Sequence, residues 1–322
     1  MRILITGSRG FVGGSVGRYA VRAGHEVLGV GRATQADVSW PGVYVSADIV
    51  SSDLSGVIHD FAPDVVLHAA GTASVGASLT APLDDLRAAL LTWANTLESV
   101  RRSGLRPLLL YASSAAVYGN LTELPVREDA PARPISPYGF HKAACELLAH
   151  EYAECYSLPV VVCRLFSLFG ATQRRLLVWE LYRQFAAGND ELVWLQGTGT
   201  ETRDYLHIDD VAAALLDIAA AQLEATVEHG MEATKADGAS RCLVLNVASG
   251  EETSVSELAR RIGQLVAPQK EIRCRGLERP GDPRAWRADI TRLRTLAPYW
   301  HPQPLTASLA QCIAAWQAAA HK

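Results

Sequence analysis

Short apolar runs alternate with longer segments of helical period through the first half of the chain. The runs are rich in valine, isoleucine and leucine and are bounded by glycine, proline or charged residues, which is typical of buried parallel strands. They predict strands at Arg2–Thr6, His25–Val30, Val43–Ala47, Asp64–His68, Pro107–Ala112 and Pro159–Arg164. The segments between them predict helices at Phe11–Ala23, Pro82–Ser103 and Pro137–Tyr156. Such an alternation predicts an α/β fold with a parallel sheet covered by helices on both faces.

Composition narrows the class of protein. Apolar residues make up 49% and charged residues 20% of the 322-residue chain, as in ordinary soluble enzymes. A net charge of −4 gives no reason to expect nucleic acid or a membrane surface as a partner. The six cysteines are scattered without a C-x-x-C pair, which indicates neither a disulfide framework nor a metal site. The first residues run straight into a strand and no apolar run approaches a membrane span, so we expect a cytoplasmic protein without a signal peptide.

A glycine-rich loop, Thr6-Gly-Ser-Arg-Gly-Phe-Val-Gly13, follows the first strand and opens the first helix. Glycines let the backbone approach a pyrophosphate, and the helix N-terminus supplies N–H donors and positive potential. The loop therefore predicts a dinucleotide site; the alternative is a tight β–α turn without a ligand. The residues expected to contact the cofactor here are Gly7, Arg9, Gly10, Phe11, Val12 and Gly13.

The end of the second strand bears on the choice of cofactor. Sites for NAD usually place an acid there to bind the ribose 2′-OH. This chain has Gly31 and Arg32 instead, and Arg9 lies inside the glycine loop. Two guanidiniums and no carboxylate suit a 2′-phosphate, so NADP(H) is favoured, with NAD(H) as the alternative. Asp48, with Ile49 beside it, is a candidate acceptor for the adenine amine or, equally, the cap of a turn.

Tyr138 and Lys142 lie four residues apart, and Ser114 precedes them in the chain. One helical turn places the phenol and the ammonium on the same face, where the cation favours the phenolate form. A phenol in that setting suits acid–base catalysis. Together with the glycine loop, these residues predict transfer of a hydride and a proton at a carbinol carbon.

In their order along the chain these motifs resemble the extended short-chain dehydrogenase/reductase family, in particular its nucleotide-sugar epimerases, dehydratases and reductases. The resemblance covers nearly the whole chain and rests on TGSRGFVG at 6–13, HAAG at 68–71, SSAAVYG at 113–119, YGFHK at 138–142, RDYLHIDDV at 203–211 and RPGDPRAWRAD at 279–289. It implies a Rossmann-type doubly wound parallel sheet with a smaller C-terminal substrate-binding lobe. It also implies that Tyr138 is the acid/base, that Lys142 holds the nicotinamide ribose, and that Ser114 hydrogen-bonds the reacting oxygen.

The resemblance adds residues to the candidate cofactor site and defines a candidate substrate site. It implies that His68, Ala69 and Ala70 lie beside the cofactor. It further implies a set of residues that contact a nucleotide-sugar substrate: Ser78, Ser114, Tyr138, Ser167, Arg203, Arg279 and Trp286. The two arginines of this set match family arginines that bind the diphosphate, with surface salt bridges as the alternative. Trp286 matches a sugar-contacting aromatic, with a place in the core as the alternative.

The residues that follow Ser114 distinguish the chemistries within the family. Relatives that resemble 4,6-dehydratases carry an Asp-Glu pair there, whereas this chain has Ala115 and Ala116. Elimination would lack its proton carriers, which speaks against a dehydratase. The NADP preference then slightly favours a reductase of an NDP-4-keto-6-deoxyhexose, with an NDP-sugar 4-epimerase as the alternative. A non-catalytic dinucleotide-binding regulator is a further alternative, but it would have little need of Tyr138 and Lys142.

Three departures from the family pattern concern the substrate. Ser167 replaces the Asn of an R-x-F-N motif, Ala89 replaces an Asn of the long helix, and Ala73 replaces a lysine of UDP-galactose epimerases. They speak against standard UDP-galactose epimerase activity and leave the redox residues untouched. His141, where many relatives have serine, is predicted to face outward. Since relatives often dimerise through helices at Pro82–Ser103 and Pro137–Tyr156, we expect a homodimer.

After Phe169 the alternation becomes irregular. Helical segments at Arg175–Ala187, Ser254–Val266 and Leu305–Ala319 predict the smaller lobe, and the alanine-rich Ile208–Gln222 predicts a further helix of the main sheet. We expect a dinucleotide-binding domain from 1–165 together with 204–222 and 242–250, and a substrate lobe mainly from 166–203 and 251–322. The polar stretch 224–240, without hydrophobic period, predicts a flexible insertion.

Overall fold

The structure is a computed structural model that describes residues 1–320 except 38, 122, 189–190, 230–241, 278–280 and 282. Strands and helices are numbered separately in chain order. The strands are β1 (Arg2–Thr6), β2 (Glu26–Gly31), β3 (Val43–Ser46), β4 (Val65–His68), β5 (Leu108–Ser114), β6 (Val160–Leu165), β7 (Ser167–Phe169), β8 (Leu192–Leu195), β9 (Thr202–Arg203), β10 (Tyr205–His207), β11 (Cys242–Val247), β12 (Thr253–Ser254) and β13 (Glu271–Cys274). The helices are α1 (Phe11–Arg22), α2 (Ser55–Phe61), α3 (Val75–Thr80), α4 (Pro82–Leu86), α5 (Thr92–Ser103), α6 (Pro137–Tyr156), α7 (Leu176–Ala186), α8 (Ile208–His229), α9 (Val255–Val266), α10 (Thr291–Leu296) and α11 (Leu305–Ala320).

Seven parallel strands form the central sheet in the order β11-β6-β5-β4-β1-β2-β3. The strand order reverses at β1, because β2 and β3 lie on one side of it and β4, β5 and β6 on the other. In sheets of this kind ligands bind at the carboxyl ends of the strands beside such a switch point. The doubly wound parallel sheet expected from the sequence is confirmed, with strand bounds that differ by one or two residues.

Alternate side chains of the strands enter two separate cores. In β1, Ile3 and Ile5 join the core that also contains Val211 of α8, whereas Leu4 joins the core that contains Trp93 of α5. Because successive side chains of a strand point to opposite faces, a run of apolar residues indicates helices on both sides of the sheet.

A third core lies outside the central sheet. Phe185 of α7, Ile262 of α9 and Trp316 of α11 pack together in it. Three two-stranded sheets flank this core: β7 pairs with β10, β9 with β12, and β8 with β13. These short strands were not predicted, because two to four residues carry too little pattern to distinguish a strand from a loop.

Two predicted helices differ from the structure. The helix expected at Pro82–Ser103 consists of α4, a π-helical turn at Arg87–Leu91, and α5. Helix α8 continues to His229, so residues 224–229 of the predicted insertion are helical, and the remainder of 224–240 lies outside the described residues. In the part of the chain that the structure describes, no helix has both the length and the apolar character needed to cross a lipid bilayer.

Candidate active site

The glycine loop adopts a conformation that only glycine can provide. Gly7 has φ of +70°, and a Cβ there would lie 2.7 Å from the backbone of Ala70. A Cβ on Gly13 would lie 2.5 Å from the carbonyl oxygen of Gly7. Helix α1 begins directly after this loop, and its N-cap residue, Gly10, has no side chain to bond the first N–H groups. Close backbone approach and free N–H donors fit the pyrophosphate of a dinucleotide.

The two arginines predicted to bind a 2′-phosphate follow different strands: Arg9 lies in the loop after β1, and Arg32 directly follows β2. Arg9 and Arg32 are both exposed. No carboxylate stands at the end of β2 itself. Asp37, in the loop that follows, lies close enough to Arg9 for their charges to interact. Hydrogen bonds from Ser39, together with the charges of Arg9 and Arg18, hold the pKa of Asp37 below its ordinary value. Asp37 cannot be recognised from the residues that end β2, because it lies in the loop that follows this strand.

Asp48 and Ile49 make contacts within the protein and lie outside the cleft. Asp48 is exposed, and its Oδ1 accepts a hydrogen bond from the Val50 N–H at 3.2 Å. Its carboxylate therefore caps a turn, which was the alternative interpretation. Ile49 is buried in the core beneath α5. Neither residue lines the cleft described below.

His68 lies in the interior, and its side chain does not reach the cleft. Its Nδ1 lies 2.9 Å from Thr6 Oγ1 and 3.1 Å from Thr96 Oγ1. Burial, and secondarily the charge of Lys142, lower its pKa to about 3, so the imidazole is neutral. Ala69 and Ala70, which follow it, do line the cleft. The packing of His68 beside a cofactor stays a prediction.

Helix α6 brings Tyr138 and Lys142 to the carboxyl edge of the sheet. Its N-cap Ser136 accepts a hydrogen bond from the Gly139 N–H at 3.2 Å, and Pro137 opens the helix. A Cβ on Gly139 would lie 2.5 Å from the carbonyl oxygen of Ala116. The absence of a side chain there lets the first turn of α6 approach the turn that follows Ser114.

The Lys142 side chain is almost fully enclosed. It is 6% exposed, and its Nζ donates a hydrogen bond to the Ala112 carbonyl at 2.7 Å. The ammonium lies 4.9 Å from the ring centre of Tyr111 and 5.8 Å from that of Tyr138. Two aromatic faces and one carbonyl thus fix the cation beside the phenol.

Ser114 ends β5 and opens a single 3-10 turn, Ala115–Val117. Its Oγ accepts a hydrogen bond from the Ala116 N–H at 3.2 Å, which leaves its own proton for another acceptor. Ala115 and Ala116 are buried. The segment after Ser114 therefore supplies no acid or base.

A buried ion pair lies next to the carboxyl end of β5. Arg164 of β6 bonds Glu146 of α6 at 2.7 Å, and the Ser113 hydroxyl donates to the same carboxylate at 2.5 Å. The pair ties β5, β6 and α6 together next to Ser114.

The residues that the resemblance predicts to contact the substrate lie in different parts of the structure. Arg203 lies with its guanidinium 5.3 Å from the ring centre of Trp286, and both line the cleft, as does Ser167. Ser78 is fully buried and does not line the cleft; its hydroxyl donates to the Val75 carbonyl and accepts from the Tyr138 N–H. Arg279 lies outside the described residues.

Some cleft residues were missed by sequence reasoning. Arg175 and Arg284 line the cleft, and so does Tyr205, whose buried hydroxyl has no hydrogen-bond partner among the described residues. Burial raises the pKa of Tyr205 above its ordinary value. Tyr205 lies two residues after Arg203 in the RDYLHIDD segment. This position was the sequence signal that could have identified it as a cleft residue.

These residues surround a single cleft of about 960 Å³. The predicted site residues that line it are Gly10, Phe11, Val12, Ala69, Ala70, Ser114, Tyr138, Lys142, Ser167, Arg203 and Trp286. Those that do not line it are Gly7, Arg9, Gly13, Arg32, Asp48, Ile49, His68 and Ser78. The cleft extends from the first turn of α1 to residues of the third core.

A glycine-rich β–α loop and a Tyr–Lys pair that share one cleft define a dinucleotide-dependent enzyme of the short-chain dehydrogenase/reductase type. Residues 3–229 match the family model described as NAD dependent epimerase/dehydratase family. The chain belongs to this family, and the resemblance noted in the sequence is confirmed.

Relatives and solved structures agree with this assignment. A UDP-glucose 4-epimerase of Mycolicibacterium smegmatis is 32% identical over 315 residues, which cover 94% of each chain. A UDP-glucose 4-epimerase of Azospirillum brasilense is 29% identical, covering 91% of this chain and 85% of the relative. Among solved structures, MoeE5 in complex with UDP-glucuronic acid and NAD is 27% identical, with a TM-score of 0.83 over 99% of this chain and all of that one.

Proposed function

We propose that the protein is a 4-epimerase that acts on a nucleotide-activated hexose. The observation that carries the proposal is that the half-buried Tyr138 and the buried Lys142 share one cleft with Ser114, which is followed by Ala115 and Ala116 and not by a second acid or base. Sequence analysis gave a slight preference to reduction of a 4-keto sugar. We replace it with the 4-epimerase alternative because two relatives that match more than nine tenths of this chain are UDP-glucose 4-epimerases.

The roles of the chain's own groups follow from their positions. The dinucleotide, when bound, supplies the hydride acceptor and donor at C4 of the sugar. Tyr138 takes the proton of the C4 hydroxyl and later returns it, while Ser114 donates a hydrogen bond to the same oxygen. Lys142 places its cation beside the ring of Tyr138 and bonds the ribose next to the nicotinamide. Arg203, over Trp286, binds the diphosphate of the sugar nucleotide.

The cofactor preference is part of this proposal. Arg32 is exposed at the end of β2 and makes no side-chain hydrogen bond or ion pair to the described residues, so it is available for a 2′-phosphate. Gly31 offers no carboxylate that would repel that phosphate. We therefore favour NADP(H) over NAD(H), although solved structures of relatives contain NAD.

A homodimer is also proposed, through α4 and α6. Large apolar side chains are exposed on these neighbouring helices: Leu83 of α4 is 57% exposed, and Phe140 and Leu147 of α6 are 59% and 72% exposed. Phe140 and Leu147 are seven residues apart and share one face of the helix. An apolar surface of this kind is typical of a protein–protein contact.

The reaction is tested in two arms with purified protein. In the first, UDP-, GDP-, dTDP- and CDP-hexoses are supplied with cofactor and followed by NMR for inversion at C4. In the second, nucleotide-linked 4-keto-6-deoxy sugars are supplied with NADPH and followed at the nicotinamide absorbance band. Inversion in the first arm without net loss of NADPH in the second supports the 4-epimerase. Stoichiometric NADPH loss without inversion would restore the reductase.

A further inference from the structure

Asp85 is a buried carboxylate with an unusual pair of partners. It lies in α4 with a side chain that is 3% exposed. Its Oδ2 lies 2.6 Å from His141 Nδ1, and its Oδ1 accepts the hydroxyl proton of Thr72. No arginine or lysine pairs with it in the described part of the chain. Because a buried carboxylate without partners is strongly unfavourable, these two contacts hold its orientation.

Thr72 and His141 belong to two different parts of the structure around the site. Thr72 lies in the segment 71–78, of which residues 71–76 line the cleft directly after Ala70. His141 lies in α6 between Tyr138 and Lys142, and it is only 13% exposed, which corrects the expectation that it faces outward. Asp85 therefore connects the cleft wall to the catalytic helix.

The segment 71–78 is joined to α6 at a second point. Ser78 Oγ accepts the Tyr138 N–H at 3.1 Å and donates to the Val75 carbonyl at 2.7 Å. The wall is thus fixed to the helix that carries Tyr138 at two points, at Thr72 through Asp85 and at Ser78 directly.

We propose that Thr72, Asp85 and His141 form a positioning clamp that makes Thr72 Oγ1 a hydrogen-bond acceptor for a ligand hydroxyl. An ionised carboxylate only accepts hydrogen bonds, so Thr72 must direct its single proton to Asp85. The lone pairs that remain on Thr72 Oγ1 can only accept a hydrogen bond from a donor in the cleft. The ligand group that suits this oxygen is a hydroxyl donor, from a ribose of the dinucleotide or from the hexose of the substrate. The identity of these ligands rests on the proposed function.

The test compares Thr72→Val, which keeps the shape and removes the hydroxyl, with Thr72→Ser, which restores it. Calorimetry measures the Kd of NADP⁺ and NAD⁺ in one arm and of UDP-glucose with cofactor present in the other. Thr72→Val should weaken binding roughly 3- to 10-fold in the arm whose ligand donates to Thr72, the usual scale for one hydrogen bond. Thr72→Ser should recover most of that affinity. Thr80→Val, in α3 and outside the cleft, is the matched control and should bind as the wild type.

A double-mutant cycle separates positioning from mere packing. His141→Ala should weaken the same ligand by a similar factor, and His141→Asn, whose amide can replace Nδ1 as donor, should recover part of it. The double variant Thr72→Val/His141→Ala should bind no more weakly than the weaker single variant, since the two act through one oxygen. Wild-type affinity of Thr72→Val in both arms, or additive losses in the double variant, would overturn the clamp. Binding requires no turnover, so a protein without epimerase activity would sink the proposed function and leave this test intact.

Discussion

Lys142 holds its ammonium 5.8 Å from the ring centre of Tyr138. The lysine is fixed in this position by a 2.7 Å hydrogen bond to the Ala112 carbonyl of β5 and by the ring of Tyr111 beneath it. Because the cation is enclosed and anchored to the sheet, it cannot move away from the phenol as an exposed lysine would. The relationship between the two residues is therefore built into the fold before any ligand binds.

Tyr138→Phe keeps the ring and removes only the group that exchanges the proton. Turnover should fall by at least ~100-fold, the usual scale for loss of a general acid/base, while calorimetry shows cofactor binding close to that of the wild type. Tyr156→Phe, at the exposed end of the same helix, is the matched control and should keep full turnover. Near-normal turnover of Tyr138→Phe would contradict the assignment of the acid/base.

Arg32→Ala tests the cofactor preference. Loss of a charged hydrogen-bond partner should weaken NADP⁺ binding roughly 10- to 150-fold and leave NAD⁺ binding unchanged, because only NADP⁺ carries the 2′-phosphate. Calorimetric titrations with both dinucleotides give the ratio directly. Arg22→Ala, at the far end of α1, controls for a general change in charge. Equal affinity of the wild type for NAD⁺ and NADP⁺ would show that the preference is wrong.

His68→Gln tests the buried neutral imidazole through the pH dependence of stability. The folded pKa of about 3 lies below the ordinary value of 6.5, so between these values the unfolded chain binds the extra proton. The stability contribution is fully present above pH 6.5 and is lost as the pH falls toward 3. From pH 7 to pH 5 the free energy of unfolding should decrease by about 2 kcal/mol more in the wild type than in His68→Gln. Urea unfolding at the two pH values measures this difference.

The matched control for that experiment is His301→Gln, which replaces an exposed histidine. It should keep the wild-type pH dependence. An equal pH dependence in wild type and His68→Gln would show that His68 takes up a proton in the folded protein.

Leu147→Glu tests the proposed dimer surface. The side chain is exposed on α6, so a charge there should leave the fold unchanged and destabilise an apolar contact with a second copy. Size-exclusion chromatography with light scattering should show a dimer for the wild type and a monomer for the variant. Leu265→Glu, an exposed leucine of α9, is the matched control and should remain dimeric. A monomeric wild type would refute the dimer.

Much of the fold was predictable because its signals are local. The apolar runs predicted six of the seven strands of the central sheet, and burial on both faces follows from the uninterrupted apolar run visible in residues 2–6. The glycine loop and the Tyr138–Lys142 spacing were also predictable, since each depends on backbone geometry within a few residues.

The sequence by itself thus determined the sheet, the glycine loop and the spacing of Tyr138 and Lys142. Only the tertiary structure decided which candidates reach the cleft. Ser78 and His68 lie in family motifs, yet their side chains bond inward, because hydrogen-bond partners distant in sequence, such as Tyr138 and Thr96, satisfy them in the interior. The contact of Asp85 with His141 joins residues 56 positions apart, and no periodicity encodes it. Side-chain direction depends on partners that the chain brings together only when it folds.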